Sequence, residues 1–359
     1  MPIKKFKIIF LALMLTLVLS GCGLTVNTGS NIGVGAGGAT DGGIYQSVDK
    51  GTTWQQKTLI QSVGASRSFA SVDIASLAFD PGDSQAIYAG SLDNGLFFSY
   101  NSGDSWQIAA SLGKISVAAI AIDPADKCVI YAAAANKVYK SADCNRSWSQ
   151  AYFDNDLQAK ITSLAIDSFS SANIFIGTSR GDIIKSSDRG LSWRVAGRLD
   201  SQVEKIVISP AGGKAVFAGT VSQGLFRSLD GGATWASLSD KLKNFGDSQR
   251  FRDLVMVKKE KTEIFLANNY GLIKSTDGGN AWSSIALLTP QQRARINTIA
   301  VNPNNTAEIY YATDTTFYRS LDGGKNWSAK KLPTNRAGWR LLLDQKNPSI
   351  IYLAAKSLK

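Results

Sequence analysis

Between Leu77 and Tyr352 short apolar runs alternate with polar turns, and the runs are built from β-branched and aromatic residues rather than at helical spacing. One cluster recurs: an aliphatic residue, then an aromatic one, often followed by a small one. It appears as Ile87-Tyr88-Ala89-Gly90, Ile130-Tyr131, Ile174-Phe175, Val216-Phe217, Ile264-Phe265, Ile309-Tyr310 and Ile351-Tyr352. Upstream of each lies another apolar run closed by a turn, as in Leu77-Ala78-Phe79-Asp80-Pro81. Between clusters lies a polar stretch, S-x-D-x-G-x-[TS]-W, whose copies end at Trp54, Trp106, Trp148, Trp193, Trp235, Trp282 and Trp327. Each period therefore reads as four short antiparallel strands, with the polar stretch as the turn between the third and fourth.

The turn has a local cause. Ser and Asp side chains accept hydrogen bonds from backbone N–H groups just downstream, and Gly supplies a backbone conformation that a β-carbon penalises. The Trp that opens the fourth strand is expected to fold over the turn, its indole N–H finding a carbonyl. Two copies depart mildly: Asn101 replaces Asp in the second, and Asn145 replaces Gly in the third, where Asn tolerates the left-handed region.

On these motifs the chain resembles the Asp-box (BNR) repeat family of β-propellers, found in sialidases, sortilin-type receptors, xyloglucanase-type hydrolases and a photosystem assembly factor. The resemblance implies an all-β propeller whose boxes are structural turns on the face away from the ligand. About 315 residues divided among seven repeats gives about 45 each, a usual blade length. The first box precedes the first aliphatic-aromatic cluster and the last cluster has no box after it. Residues 43 to about 60 are thus expected to supply the two outer strands of the blade whose inner strands are residues 340–357. That closes a seven-bladed ring and removes two sheet edges.

The amino terminus reads differently. Lys4, Lys5 and Lys7 precede an apolar run, Ile8–Leu19, too short to span a bilayer, so residues 1–21 read as a signal peptide. Leu19-Ser20-Gly21-Cys22 matches the bacterial lipobox, which makes Cys22 the lipidation site of a membrane-anchored lipoprotein in the cell envelope; plain secretion is the alternative. Residues 22–42 are rich in Gly, Ser, Thr and Asn and read as a flexible tether, leaving 43–359 for the propeller.

Without the three leader lysines, 36 Lys and Arg face 28 Asp and Glu, a net charge of about +8. That favours an anionic protein or glycan as partner, and the membrane surface. An exported chain without a nucleic-acid module gives no reason to expect nucleic acid, and a monomer is expected. With no histidine, and the three cysteines assigned to lipid and to a disulfide, zinc sites and His-dependent triads are excluded, and neither metal nor cofactor is expected. Cys128 and Cys144 fall opposite each other in a hairpin whose partners sum to about 271. Their disulfide would stabilise by roughly 3 kcal/mol in the chain-entropy model, two unlinked thiols being the alternative.

Basic residues recur just before or at the start of the innermost strand in six of seven repeats: Lys114, Lys160, Lys205, Arg252, Arg295 and Arg340, with Arg250, Arg293 and Arg336 nearby. In a propeller these starts ring the mouth of the axial channel, opposite the boxes, where a positive rim would focus field onto an anionic partner. The photosystem assembly propeller is similar in using an arginine-rich surface. Asp73, Glu204 and Asp253 partly neutralise the rim, and a merely solvated basic face is the alternative. Gln55–Val72, Ala236–Arg252 and Ser283–Arg295 are the longest connections on that face. The expected role is a binding or assembly scaffold with no catalytic residues assigned. The alternative is a glycoside hydrolase, for which Asp73 and Asp253 are the carboxylates to test.

Overall fold

The computed structural model describes residues 40–358 except 63, 213 and 261; the expected signal segment, Cys22 and nearly all of the tether lie outside them. Seven four-stranded antiparallel sheets follow one another as blades, with a small hairpin, Leu59–Ile60 with Arg67–Ser68, outside them. The innermost strands, in blade order, are Ile74–Phe79, Ala119–Asp123, Ile161–Asp167, Val203–Ile208, Phe251–Val257, Thr298–Val301 and Ala337–Leu343. The seventh blade joins the chain ends. Ile44–Ser47 pairs antiparallel with Ile351–Lys356 in the register Ile44↔Ala354, Tyr45↔Leu353, Gln46↔Tyr352 and Ser47↔Ile351, and Gln55–Gln56 completes the sheet. This is the seven-bladed, terminus-closed ring expected from the repeat.

The aliphatic-aromatic pair explains how blades stack. Adjacent residues of a strand point to opposite faces, so each pair on a second strand serves two interfaces. Tyr88 of blade 1 packs with Ile130 and Ala132 of blade 2, whereas Tyr131, between them, packs with Ile174 and Ile176 of blade 3. The scheme runs round to Tyr352, which meets Ile87 and Ala89 of blade 1. The apolar core is thus seven interfaces rather than one centre. Small residues let the blades approach: a Cβ on Gly219 would overlap the Phe251 ring of the next blade.

The boxes form one repeated network. In the blade 4 copy the buried Ser228 Oγ donates to Asp230 Oδ1 (2.7 Å) and accepts from Gly232 N–H (2.8 Å), while Asp230 also accepts from the N–H and hydroxyl of Thr234 (2.9 and 2.6 Å). Both departures still turn: Asn101 Oδ1 takes the Asp role, and Asn145 sits at φ 70°. The indoles do more than cover their own turn. Trp282 N–H reaches Gly279 O of its own box (3.1 Å), but Trp235 and Trp327 reach Ala196 O and Ala286 O at the outer edge of the preceding blade (3.1 and 2.7 Å). The indole N–H groups of Trp54, Trp106 and Trp148 are buried without a partner. In blade 2, Ile130↔Ser141 to Ala134↔Lys137 pair as expected, and Cys128 and Cys144 beyond them form a disulfide with Cα atoms 4.0 Å apart.

Candidate binding face at the channel mouth

Each innermost strand starts on the face opposite the boxes, and each is bulged near that start. The pairing register shifts between Ile74 and Ser76, Ile161 and Ser163, Val203 and Lys205, Phe251 and Asp253, and Gly338 and Arg340. In the other two blades Ala118 and Asn297 donate to the carbonyls of Ala133 and Ala312, the residues with which Ala119 and Thr298 pair, so two residues again face one. A bulge re-aims side chains and raises local twist. Here it turns residues of seven strands toward a common axial opening of about 220 Å³.

The wall of that opening is divided. Blades 1 to 3 contribute only neutral residues: the small Ser76, Ala118, Ala119, Thr162 and Ser163, and the apolar Leu77, Ile120 and Leu164. Blades 4, 5 and 7 contribute Glu204, Lys205, Arg252, Asp253 and Arg340, three cations and two anions. The sequence-predicted basic residues therefore occupy different settings. Lys205 Nζ lies 2.6 Å from the buried Asp253, whose other oxygen accepts Ile299 N–H of blade 6 at 2.9 Å. This group ties three blades together. Burial opposes ionisation of Asp253, but the charges of Lys205 and Arg340 and the hydrogen bonds outweigh it and hold its pKa below the usual value.

Arg252 donates to Asn269 Oδ1 (3.0 Å) and is half-buried; burial first, then the like charge of Arg295, lowers its pKa, with Arg250 adding to the effect. The protein thus concentrates positive charge at this edge of the mouth. Among the described residues Arg250 and Arg295 have only loose ion pairs, with Asp247 (3.6 Å) and Asp314 (3.9 Å). Arg340 lies over the Trp339 ring at 5.0 Å. Lys114, Lys160 and Arg293 are exposed, Lys160 lining a side cleft over the channel-face edge of blade 2 rather than the channel. Arg336 turns inward, against Asp73 (2.6 Å) and Asp41 (3.4 Å), and so fastens the closing strand.

The two carboxylates considered for hydrolysis both have structural partners. Asp73 accepts from Arg336 and from the N–H (2.7 Å) and hydroxyl (3.0 Å) of Ser357; Asp253 is the clamp just described. Among the described residues no group of three or more Cys, Asp or Glu could hold a metal ion. Sequence reasoning passed over Trp339, which sits at the blade 7 bulge between Arg340 and Lys356, the latter 3.7 Å from its ring centre. Its signal was that it alone of the eight tryptophans stands outside a box.

Residues 209–340 match the family model of the photosystem II assembly factor YCF48. No curated protein sequence matches the chain. Among solved structures, it is similar to the GH74 xyloglucanase of Xanthomonas campestris, at 17% identity and TM-score 0.63 over 79% of this chain and 51% of that one. It is similar to YCF48 bound to D1 peptide, at 15% identity and TM-score 0.59 over 79% and 93%. The extracellular domain of BT4673 from B. thetaiotaomicron gives 14% identity and TM-score 0.60 over 84% and 39%. The chain spans about half the length of the xyloglucanase. Motif, topology and likeness agree on the architecture: a seven-bladed Asp-box β-propeller, part of which matches the YCF48 model.

Proposed function

We propose that this protein is a lipid-anchored, extracytoplasmic scaffold that captures an anionic segment of a partner protein on the channel face. The observation that carries the reading is the set of seven bulges, which brings Arg252 and Arg340 to one mouth beside the loosely paired Arg250 and Arg295. An arriving carboxylate relieves the repulsion among these guanidiniums and forms bidentate hydrogen bonds with them. The longest connections, one carrying the hairpin and another the helical turn Ser239–Leu242, stand on the same face and add recognition surface. The likeness to YCF48 bound to D1 peptide supports protein rather than glycan as the partner.

Gly42 N–H bonds Ala70 O and Asp41 meets Arg336, both on the channel face, so the chain enters the propeller on that face, and Cys22 is proposed as its lipid anchor. With Asp73 and Asp253 committed to structural contacts, hydrolysis is the weaker reading.

The test is partner capture from native membranes by the tethered protein. Arg252→Glu with Arg340→Glu should reduce retention at least tenfold in protein that still melts in one cooperative transition, at a temperature lowered by the loss of the Arg340 charge beside Asp253. Retention equal to that of the parent protein would contradict the proposal.

A further inference from the structure

Beside the channel a second recess runs over the channel-face edge of blade 2, from the connection with blade 1 to the start of blade 3, with a volume of about 540 Å³, inside the range of roughly 300–1,000 Å³ usual for ligand pockets. Its walls include Ile115, Ala134, Tyr139 and Ile161, and it shares Ala118 and Thr162 with the neutral half of the channel wall. The recess is rigidly framed. Ile161 N–H bonds Ala135 O (2.7 Å), and the buried Asn136 exchanges hydrogen bonds with Asp154, giving Nδ2 to its carbonyl (2.8 Å) and accepting its N–H (2.9 Å).

Two lysines line it from different blades: Lys137 at the start of the third strand of blade 2, and Lys160 just before the innermost strand of blade 3. Lys137 Nζ lies 5.7 Å from the Phe153 ring centre, and neither lysine has a carboxylate within ion-pair distance among the described residues. The acids of this sector are occupied elsewhere. Arg180 holds Asp154 (2.9 Å), Asp156 (2.8 Å) and Asp182 (3.1 Å), and Arg198 also reaches Asp182 (3.2 Å). The result is an apolar slot with two lysines outside any ion pair among the described residues, beside three acids that are held by two arginines.

We infer that this recess is a peptide subsite that takes an apolar side chain followed by an acidic one. The apolar group packs against the exposed parts of Ile115 and Tyr139, and the carboxylate binds Lys137 and Lys160. The backbone would run on over Ala118 and Thr162 toward the channel mouth. The inference shares with the proposed function the assignment of this face to peptide binding, but uses different residues.

The experiment measures fluorescence anisotropy of a labelled, end-capped hexapeptide with a central Phe-Glu pair, against counterparts carrying Phe-Gln and Ala-Glu, on the tethered protein. Saturable binding of the Phe-Glu peptide is expected, weakened at least tenfold by either peptide change and by Lys137→Gln with Lys160→Gln, at an unchanged melting temperature. The Arg252→Glu, Arg340→Glu protein should bind this probe within about twofold of the parent. No binding, equal binding of the Phe-Gln peptide, or indifference to the lysine changes would overturn the subsite and leave the channel proposal standing. Loss in the arginine variant alone would place the peptide at the channel and equally overturn it.

Discussion

The smallest unit with a distinct physical signature is the box aspartate. For Asp143 and Asp188 the hydroxyls of Ser147 and Ser192 are the main cause holding the carboxyl at a pKa of about 2; for Asp322 it is Asn326 N–H. Asp49 reaches about 2 as well, burial opposing ionisation but being outweighed by hydrogen bonds from Thr53. Asp230 and Asp277 are also lowered. A carboxyl near 2 when folded, against an ordinary 3.8, contributes stability that is complete above about pH 4 and lost as the pH falls through the folded value. Thermal stability is therefore expected to be flat from pH 7 to about 5 and to fall steeply between about 4 and 2, as scanning calorimetry would show. A transition temperature unchanged at pH 2.5 would mean that the box hydrogen bonds do not persist in solution. In the second box Asn101, which does not titrate, stands in place of the aspartate.

At the scale of the strand, local signals and long-range ones part company. The aliphatic-aromatic pairs and boxes were legible because their causes lie within a few residues: side-chain alternation in one case, Ser and Asp reaching their own turn in the other. The hairpin register around Cys128 and Cys144 followed by counting. The bulges were not legible, since Ala118, Thr162, Glu204, Arg252, Asn297 and Trp339 share no chemistry; the distortion arises where neighbouring blades converge on the axis. Nor could spacing show that Lys205 meets an aspartate 48 residues away, or that Arg336 fastens Asp41 and Asp73. What reads along the chain as one basic rim therefore separates into clamps, a channel wall and a side cleft. The clamp carries its own expectation. Asp253→Ala leaves Ile299 N–H without its acceptor and Lys205 without its counter-ion, and should cost about 3 kcal/mol in urea unfolding. A loss under about 1 kcal/mol would show that the three-blade contact is incidental.

For the whole molecule, closure gives the channel face a fixed shape. Each blade buries its faces only against two neighbours, so an open ring would leave Ile44, Tyr352, Ile74 and Ile87, all buried in one cluster, exposed to water. Lys50 reinforces the join by reaching Glu308 on blade 6 (2.9 Å), and Arg336 does so on the opposite face. The basic mouth and the side cleft keep their geometry only while this seam holds. Amide hydrogen exchange of Ile44–Ser47 and Ile351–Lys356 tests this most directly. A closed ring predicts that the bonded amides of both segments exchange as slowly as those of the second strands of blades 2 to 5, and only through global unfolding. Exchange of Ile44–Ser47 at the rate of the exposed loops, with the rest protected, would contradict it.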